Sequence, residues 1–560
     1  LEMRNLKKVL SLSLAFVMLL GLMMVGAGAA TTKDYTDASD INYTQAVDVM
    51  SSIGVFNGTN TGDFQPNGDL TRETAAKIIT YMLLGQDAAD KLTTTSAPFK
   101  DVAADRWSAG SIAYCVNLNI IAGDGNGYFY PTQTVNGYAF AKMLLVALGY
   151  DPSIEDLVGS SWAISAQSLA MKAGLTADLD VALSNTLTRE QACQMAFNAL
   201  KATMVYYQSK GTDITSGDLN VNVGATAAEK VAGVGNDYGA GGTDAQYMQF
   251  VEQYFPRVKV TATTDELGRS AQRWTTGTTT IGTYAVDATL TYTAKVSANA
   301  MKDNLNGYIL NADGITVYKD GVPQADANTT EDIANLTGEG VEVAVYATTN
   351  NNNQDVITKV VVINTYFDEV AVADSDDDGR YIEINGLKYH TESFAEGDKV
   401  IYTKGRDTEN NDVIVSVALA ESVDGTVTRR TGDTSVVVGG TTYKINPNAD
   451  IVPADDLAIN AEVTLYLDAY GNVIAAEELQ AASSNYAYVV DTATSFGDVS
   501  AKLLFADGTT AIVATNADQA SDISGKVVTY TIGSNDVYRV TAVSAPSGTG
   551  VPVLNSGSKV

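Results

Sequence analysis

The chain has 560 residues, 45% of them hydrophobic, and its 66 acidic residues against 35 basic ones give a net charge of −31. That length supports several cores rather than one, and so negative a charge argues against a nucleic-acid surface or a general affinity for anionic lipid. A single histidine excludes multi-histidine metal sites, and two cysteines do not make a disulfide scaffold.

In chain order, Leu1-Glu2 ahead of Met3 read as reading-frame residues. Arg4, Lys7 and Lys8 precede an apolar run from Val9 to Val25, closed by Gly26 to Ala30. A basic start, an apolar middle and a small-residue end predict a secretory signal peptide over 1–30. No later stretch is long and apolar enough to span a bilayer, so attachment to the cell is expected through folded modules.

An internal repeat follows. Tyr35-Thr36-Asp37 leads into Tyr43, Ala46, Val47, Met50 and Ile53 at helical spacing, then Gly54 and Gly58. After the loop Gly62-Asp63-Phe64-Gln65-Pro66, Thr71 is the expected N-cap of a second helix opening Arg72-Glu73. The same helix–loop–helix unit returns with Phe99-Lys100-Asp101, Trp107, Gly123, the loop Gly127-Tyr128-Phe129-Tyr130-Pro131 and a helix with Phe140 and Leu144. A third, degraded copy has Trp162 and Thr188-Arg189-Glu190 but lacks the Phe-x-Pro loop. The predicted modules are 31–93, 94–152 and 153–208. Cys115 and Cys193 sit on apolar helical stripes and are expected as buried free thiols, with a bridge between modules as the alternative.

On Asp37 and Asp101, the two tryptophans, the two Gly-x-Phe-x-Pro loops and the repeated Thr-Arg-Glu, the segment resembles three tandem S-layer homology modules of Gram-positive, clostridial-type surface proteins. The resemblance implies a pseudo-threefold spindle that holds a pyruvylated secondary cell-wall polysaccharide in its grooves. Arg72 and Arg189 are then the main anion-binding residues, accompanied by Asp37, Asp101, Trp107, Trp162, Gly58 and Gly123. A planar pyruvate carboxylate suits a guanidinium at a helix start. The glycines read equally as turn residues, and the two tryptophans serve equally as core or as sugar-stacking platforms. Aligning Pro131 with Pro66 puts Gly137 where Arg72 stands, so the second module is expected to lack its arginine.

Residues 209–244 are rich in Gly, Thr, Ser and Asp and read as a flexible linker. From 245 the texture changes to short alternating runs such as Val258 to Ala262, a β-rich connector over 245–304. A further repeat of about sixty residues, by turn-and-strand spacing, predicts β modules at 305–365, 366–422, 423–484 and 485–560. The expected fold class is thus a helical pseudo-trimer followed by a string of small all-β modules.

His390 leaves at most one candidate base, and no carboxylate pair sits in a distinctive motif, so no enzyme is expected. Asp374, Asp376 and Asp378 match the opening of a calcium loop, but Asn385 stands where a bidentate glutamate is needed. An exposed hairpin turn is the first reading, weak calcium binding the second. The expected function is a non-catalytic cell-envelope protein anchored to wall polysaccharide, with β modules that project and assemble laterally as an S-layer. The alternatives are a wall-anchored glycan hydrolase and an adhesin.

Overall fold

The structure, a computed structural model, describes residues 31–543 other than 217–218, 234–245, 351, 378, 451–456, 479–484, 496–497, 506–507, 518 and 533–536. The predicted signal peptide lies outside the described residues. The chain divides into two units, Leu1–Asp287 and Ala288–Val560. Among the described residues no helix is long and apolar enough to cross a membrane.

Six helices of nine residues or more, two per module, build the three modules of the first unit: α1 (Thr44–Ser52), α2 (Arg72–Leu84), α3 (Ala109–Asn117), α4 (Gly137–Ala147), α5 (Trp162–Lys172) and α6 (Arg189–Lys201). The second helix of each module starts the same way. The side chains of Thr71, Asn136 and Thr188 accept from the amides of Thr74, Ala139 and Gln191 at 3.0 to 3.3 Å, each cap contributing about 1 kcal/mol. The buried residue before each cap closes a ring: the amide of Leu70 donates to Leu187 O (2.9 Å), Val135 to Leu70 O (2.8 Å) and Leu187 to Val135 O (3.0 Å). Each module thereby satisfies its neighbour's backbone in the core, and the pseudo-threefold follows from bonding rather than from shape alone.

One apolar cluster runs through all three modules and continues into residues expected to lie beyond them. Strands β2 (Lys210–Ser216), β3 (Leu219–Ala225) and β4 (Glu229–Lys230) occupy the segment read as linker, and β1 (Val205–Tyr206) ends just before it. β2 and β3 form a hairpin, and β1 pairs with β4. The amide of Val231 in the linker donates to Met204 O (2.9 Å), and that of Val205 on β1 to Leu148 O (3.0 Å). The described part of the linker is therefore stitched to the modules. Its composition could not reveal this, because backbone pairing needs no apolar side chains.

The segment read as a β-rich connector also packs on the modules. β5 (Val258–Thr264), β6 (Ser270–Thr276) and β7 (Thr279–Ala285) form an antiparallel sheet. Trp274 on β6 is fully buried with its ring 5.3 Å from that of Phe197 on α6. Tyr284 on β7 donates to Asp48 on α1 at 2.7 Å. The sheet is a wall of the helical body.

The second unit holds separate cores. Residues 290–363 form a six-stranded mixed sheet whose centre is Glu342–Thr349 against Asp355–Ile363. Two helices, Ala298–Asn304 and Thr330–Leu336, bury Met301, Ile333 and Ala334 in its core, so this module is α+β and not all-β. Residues 366–419 carry two three-stranded sheets, 421–478 a closed five-stranded barrel and 485–542 a five-stranded sheet. Polar side chains fasten these bodies together: Lys444 to Glu339 (2.8 Å), Tyr470 to Glu342 (2.9 Å) and Lys399 to Glu477 (2.7 Å).

Candidate functional site

The backbone ring fixes which residues are equivalent. The amides of Arg72, Gly137 and Arg189 donate to Gln133 O, Asn185 O and Gly68 O, and those of Glu73, Tyr138 and Glu190 to Pro131 O, Leu183 O and Pro66 O. Each second helix thus begins against the loop of the next module.

Arg72 lies over the loop of module two. Its Nε donates to Phe129 O (2.8 Å), its Nη2 to Ala122 O (2.9 Å), and its guanidinium sits 4.5 Å from the Phe129 ring. Arg189 repeats this on module one: Nη2 donates to Asn57 O, and the guanidinium stands 5.1 Å from Phe64 and 5.6 Å from Phe56. Burial pushes both arginine pKa values down, and nearby aspartates pull the other way, Asp101 on Arg72 and Asp63 and Asp37 on Arg189. Arg189 Nε is buried with no hydrogen-bond partner among the described residues.

A cavity of about 230 Å³ opens beside Arg189, lined among others by Asn57, Thr74, Lys77, Tyr81 and Trp107. All three modules contribute to it. Trp107 is 55% exposed, with Lys77 Nζ 5.5 Å from its ring. On the next module Lys142 Nζ lies 5.7 Å from Trp162, and burial lowers the Lys142 pKa. Arg189 with Lys77 and Trp107, and Arg72 with Lys142 and Trp162, are therefore equivalent sets. Sequence reasoning missed the lysines. The signal was their place five residues after Arg72 and after Gly137 in the repeat.

The third cleft is shut. A Cβ on Gly137 would lie 2.7 Å from Leu183 Cα and 2.7 Å from its Cδ2. Gln194 occupies the place of the lysine. Loss of the arginine is one part of a collapse in which the shortened third loop packs onto the start of α4. Gly137→Arg is accordingly expected to cost about 1–3 kcal/mol by overpacking and to leave polysaccharide binding no tighter, as thermal melting and a binding titration would check.

The remaining predicted residues hold the loops. Asp37 accepts from the amides of Phe64 and Gln65 (both 2.7 Å), and Asp101 from those of Phe129 (2.9 Å) and Tyr130 (2.7 Å). Burial acts to raise the Asp101 carboxyl, but those amides outweigh it and hold the pKa below the usual range. A Cβ on Gly58 would come 2.7 Å from the Tyr35 ring, and one on Gly123 2.4 Å from the Phe99 ring, so these glycines serve packing. Glu73 accepts from Arg106 Nε and Nη2 (both 2.7 Å) and Ser108 (2.6 Å), and Glu190 accepts from Asn42 N (2.9 Å) and Nδ2 (3.0 Å). The glutamate of each Thr-Arg-Glu locks the following module. Cys115 and Cys193 are buried and unbridged, and burial pushes the Cys115 thiol up to about 11.

Asp374 and Asp376 lie in the strand Val372–Asp376, which pairs with Gly379–Ile384, while Asp378 is outside the described residues. Asp376 is bonded to Lys388 Nζ (2.7 Å) and His390 Nε2 (3.0 Å). Asn385 has φ 50° in the turn that follows Gly379–Ile384. Among the described residues no group of three or more acidic, histidine or cysteine side chains could hold a metal.

The family model for the S-layer homology domain matches residues 34–76 and 98–141. A "Cell surface protein" of Thermoanaerobacter kivui is 24% identical across 95% of this chain and 71% of its own length. A "Surface layer protein" of Brevibacillus choshinensis is 25% identical over 38% of this chain, and a "Cellulosome-anchoring protein" of Acetivibrio thermocellus 33% identical over 15%. The chain spans 18% of each of these last two.

Proposed function

We propose, from the premise that this is an S-layer homology domain-containing protein of the bacterial cell surface, that its first unit clamps a pyruvylated secondary cell-wall polysaccharide in two clefts. The observation that carries this reading is the set around Arg189: a half-buried arginine whose Nε is buried and unpartnered among the described residues, opening on a cavity with Lys77 and Trp107. A guanidinium fork at the start of a long helix matches a carboxylate in shape and field, the lysine adds charge, and the indole offers a flat apolar face to a sugar ring. The chain and such a polymer both carry negative charge, yet repulsion is screened beyond about 8–10 Å in ordinary salt, so binding is local to the clefts. The test is co-sedimentation with peptidoglycan sacculi. The chain is expected in the pellet with intact sacculi and in the supernatant once hydrofluoric acid has stripped the secondary polymer. Equal pelleting with both would sink the reading.

The second unit is proposed to be non-catalytic and to assemble laterally. The first part is supported by the relatives, whose names are those of surface, surface-layer and anchoring proteins. The second is supported by an apolar row across the last sheet, where register sets Tyr488 beside both Leu504 and Val527, each at least a third exposed. An uncovered apolar row of this kind favours burial against another surface. Sedimentation velocity at rising concentration is expected to show self-association that Tyr488→Ser weakens. A monomer at every concentration would leave a spacer only.

A further inference from the structure

Tyr128 and Tyr130 flank the buried Phe129 in the loop that receives Arg72. Phe129 is fully buried while both tyrosines face outward, 39% and 47% exposed. Their rings are near-parallel, 19° apart in plane with centroids separated by 6.0 Å. Both rings are held: Tyr130 Oη donates to Asp124 at 3.1 Å, Lys100 Nζ stands 5.1 Å from the Tyr128 ring, and Tyr130 is pinned at φ 59° with its amide on Asp101. An open depression of about 570 Å³ lies beside Tyr130, lined by Asp101, Arg106, Pro131, Thr132 and Gln133. The equivalent loop of module one has Asp63 and Gln65 in these places, so the aromatic pair belongs to one module only.

We infer that the Tyr128–Tyr130 pair is a second saccharide subsite, taking an uncharged pyranose unit of the polymer held in the adjoining Arg72 cleft. This rests on the anchoring reading above. Fixed, exposed, near-parallel aromatic rings present the flat apolar surface that the C–H face of a sugar covers at little ordering cost. The carboxylates of Asp101 and Asp124 border the pair, so an acidic sugar is disfavoured there while hydroxyls find acceptors. Anion recognition by Arg72 and neutral stacking on the loop's outer side would together read two successive kinds of unit along one strand.

The test uses the full chain and three variants: Tyr128→Ala/Tyr130→Ala, Tyr128→Phe/Tyr130→Phe and Arg72→Ala. Calorimetric titrations use wall polysaccharide released from sacculi, either intact or with its acidic substituents removed. The alanine pair is expected to weaken binding of both polymers by roughly tenfold, two stacked rings' worth, with an unchanged circular dichroism spectrum. The phenylalanine pair should bind like the parent. Arg72→Ala should weaken only the intact polymer. An alanine pair that binds both polymers as the parent does, while Arg72→Ala is impaired, overturns the subsite and leaves the clamp standing. If no variant changes binding, the anchoring reading fails and the subsite falls with it.

Discussion

A chain carrying both Arg72→Ala and Arg189→Ala is expected to lose co-sedimentation with intact sacculi altogether, whereas either substitution alone should weaken binding without abolishing it. Removing one partner of a desolvated, hydrogen-bonded charge pair typically costs 2–5 kcal/mol, so each change should reduce its cleft's affinity by roughly thirtyfold or more. Because the two clefts sit on one body, the second contact is intramolecular, and the surviving cleft still recruits the polymer. Arg72 also binds two loop carbonyls, Phe129 O and Ala122 O. Alanine therefore disturbs the loop as well as the ligand. Arg72→Lys/Arg189→Lys separates these effects, since lysine keeps the charge but loses the planar fork. A lysine pair with parental melting and weakened binding would assign the loss to ligand geometry; a lysine pair that binds like the parent would show that charge alone suffices.

The second large effect concerns where the anchor ends. A fragment of residues 31–208, the boundary that the repeat alone recommends, is expected to aggregate or to melt far below a fragment of residues 31–287. Cutting at 208 strips Phe250, Val251, Val258, Trp274 and Ile281 from the common core. In the full chain Trp274→Ala should cost about 3–5 kcal/mol, as for other buried tryptophans, and lower the first unit's calorimetric transition by roughly 10 °C. Polysaccharide affinity should follow, because Phe197, which meets Trp274, lies on the helix that begins at Arg189. A 31–208 fragment as stable as 31–287 would show the β5–β7 sheet to be dispensable.

Much of the first unit was legible. The 3.6-residue stripes from Ala46 to Ile53 and from Ala75 to Leu83 name their helices, and Thr71 and Thr188 announce the caps through local bonds that need no tertiary partner. Arg72 and Arg189 were visible because a motif repeats around them. Lys77 and Lys142 were not, since each acquires meaning only opposite a tryptophan from another module. Asp37 and Asp101 show a related limit: the sequence places carboxylates in the loops' openings but does not say that both oxygens face backbone amides. Gly137 read as a missing arginine, whereas Leu183, 46 positions away in the alignment and in contact in the fold, makes any side chain there a clash. The acidic run reads first as a hairpin turn, and period-two pairing, which Tyr381 and Ile382 favour, sets Asp374 and Asp376 on a strand.

The wall formed by β5–β7 also has a mechanical meaning. A pull transmitted through the chain beyond Asp287 reaches the first unit at β7, whose Tyr284 is bonded to Asp48 on α1, and then at β6, whose Trp274 is lodged against α6. Tension is thereby handed across the sheet to the helix that starts at Arg189, instead of peeling the modules apart from one end. The ring of amides at Leu70, Val135 and Leu187 ties the three modules to one another at the centre, so a load on any one of them is shared by the other two.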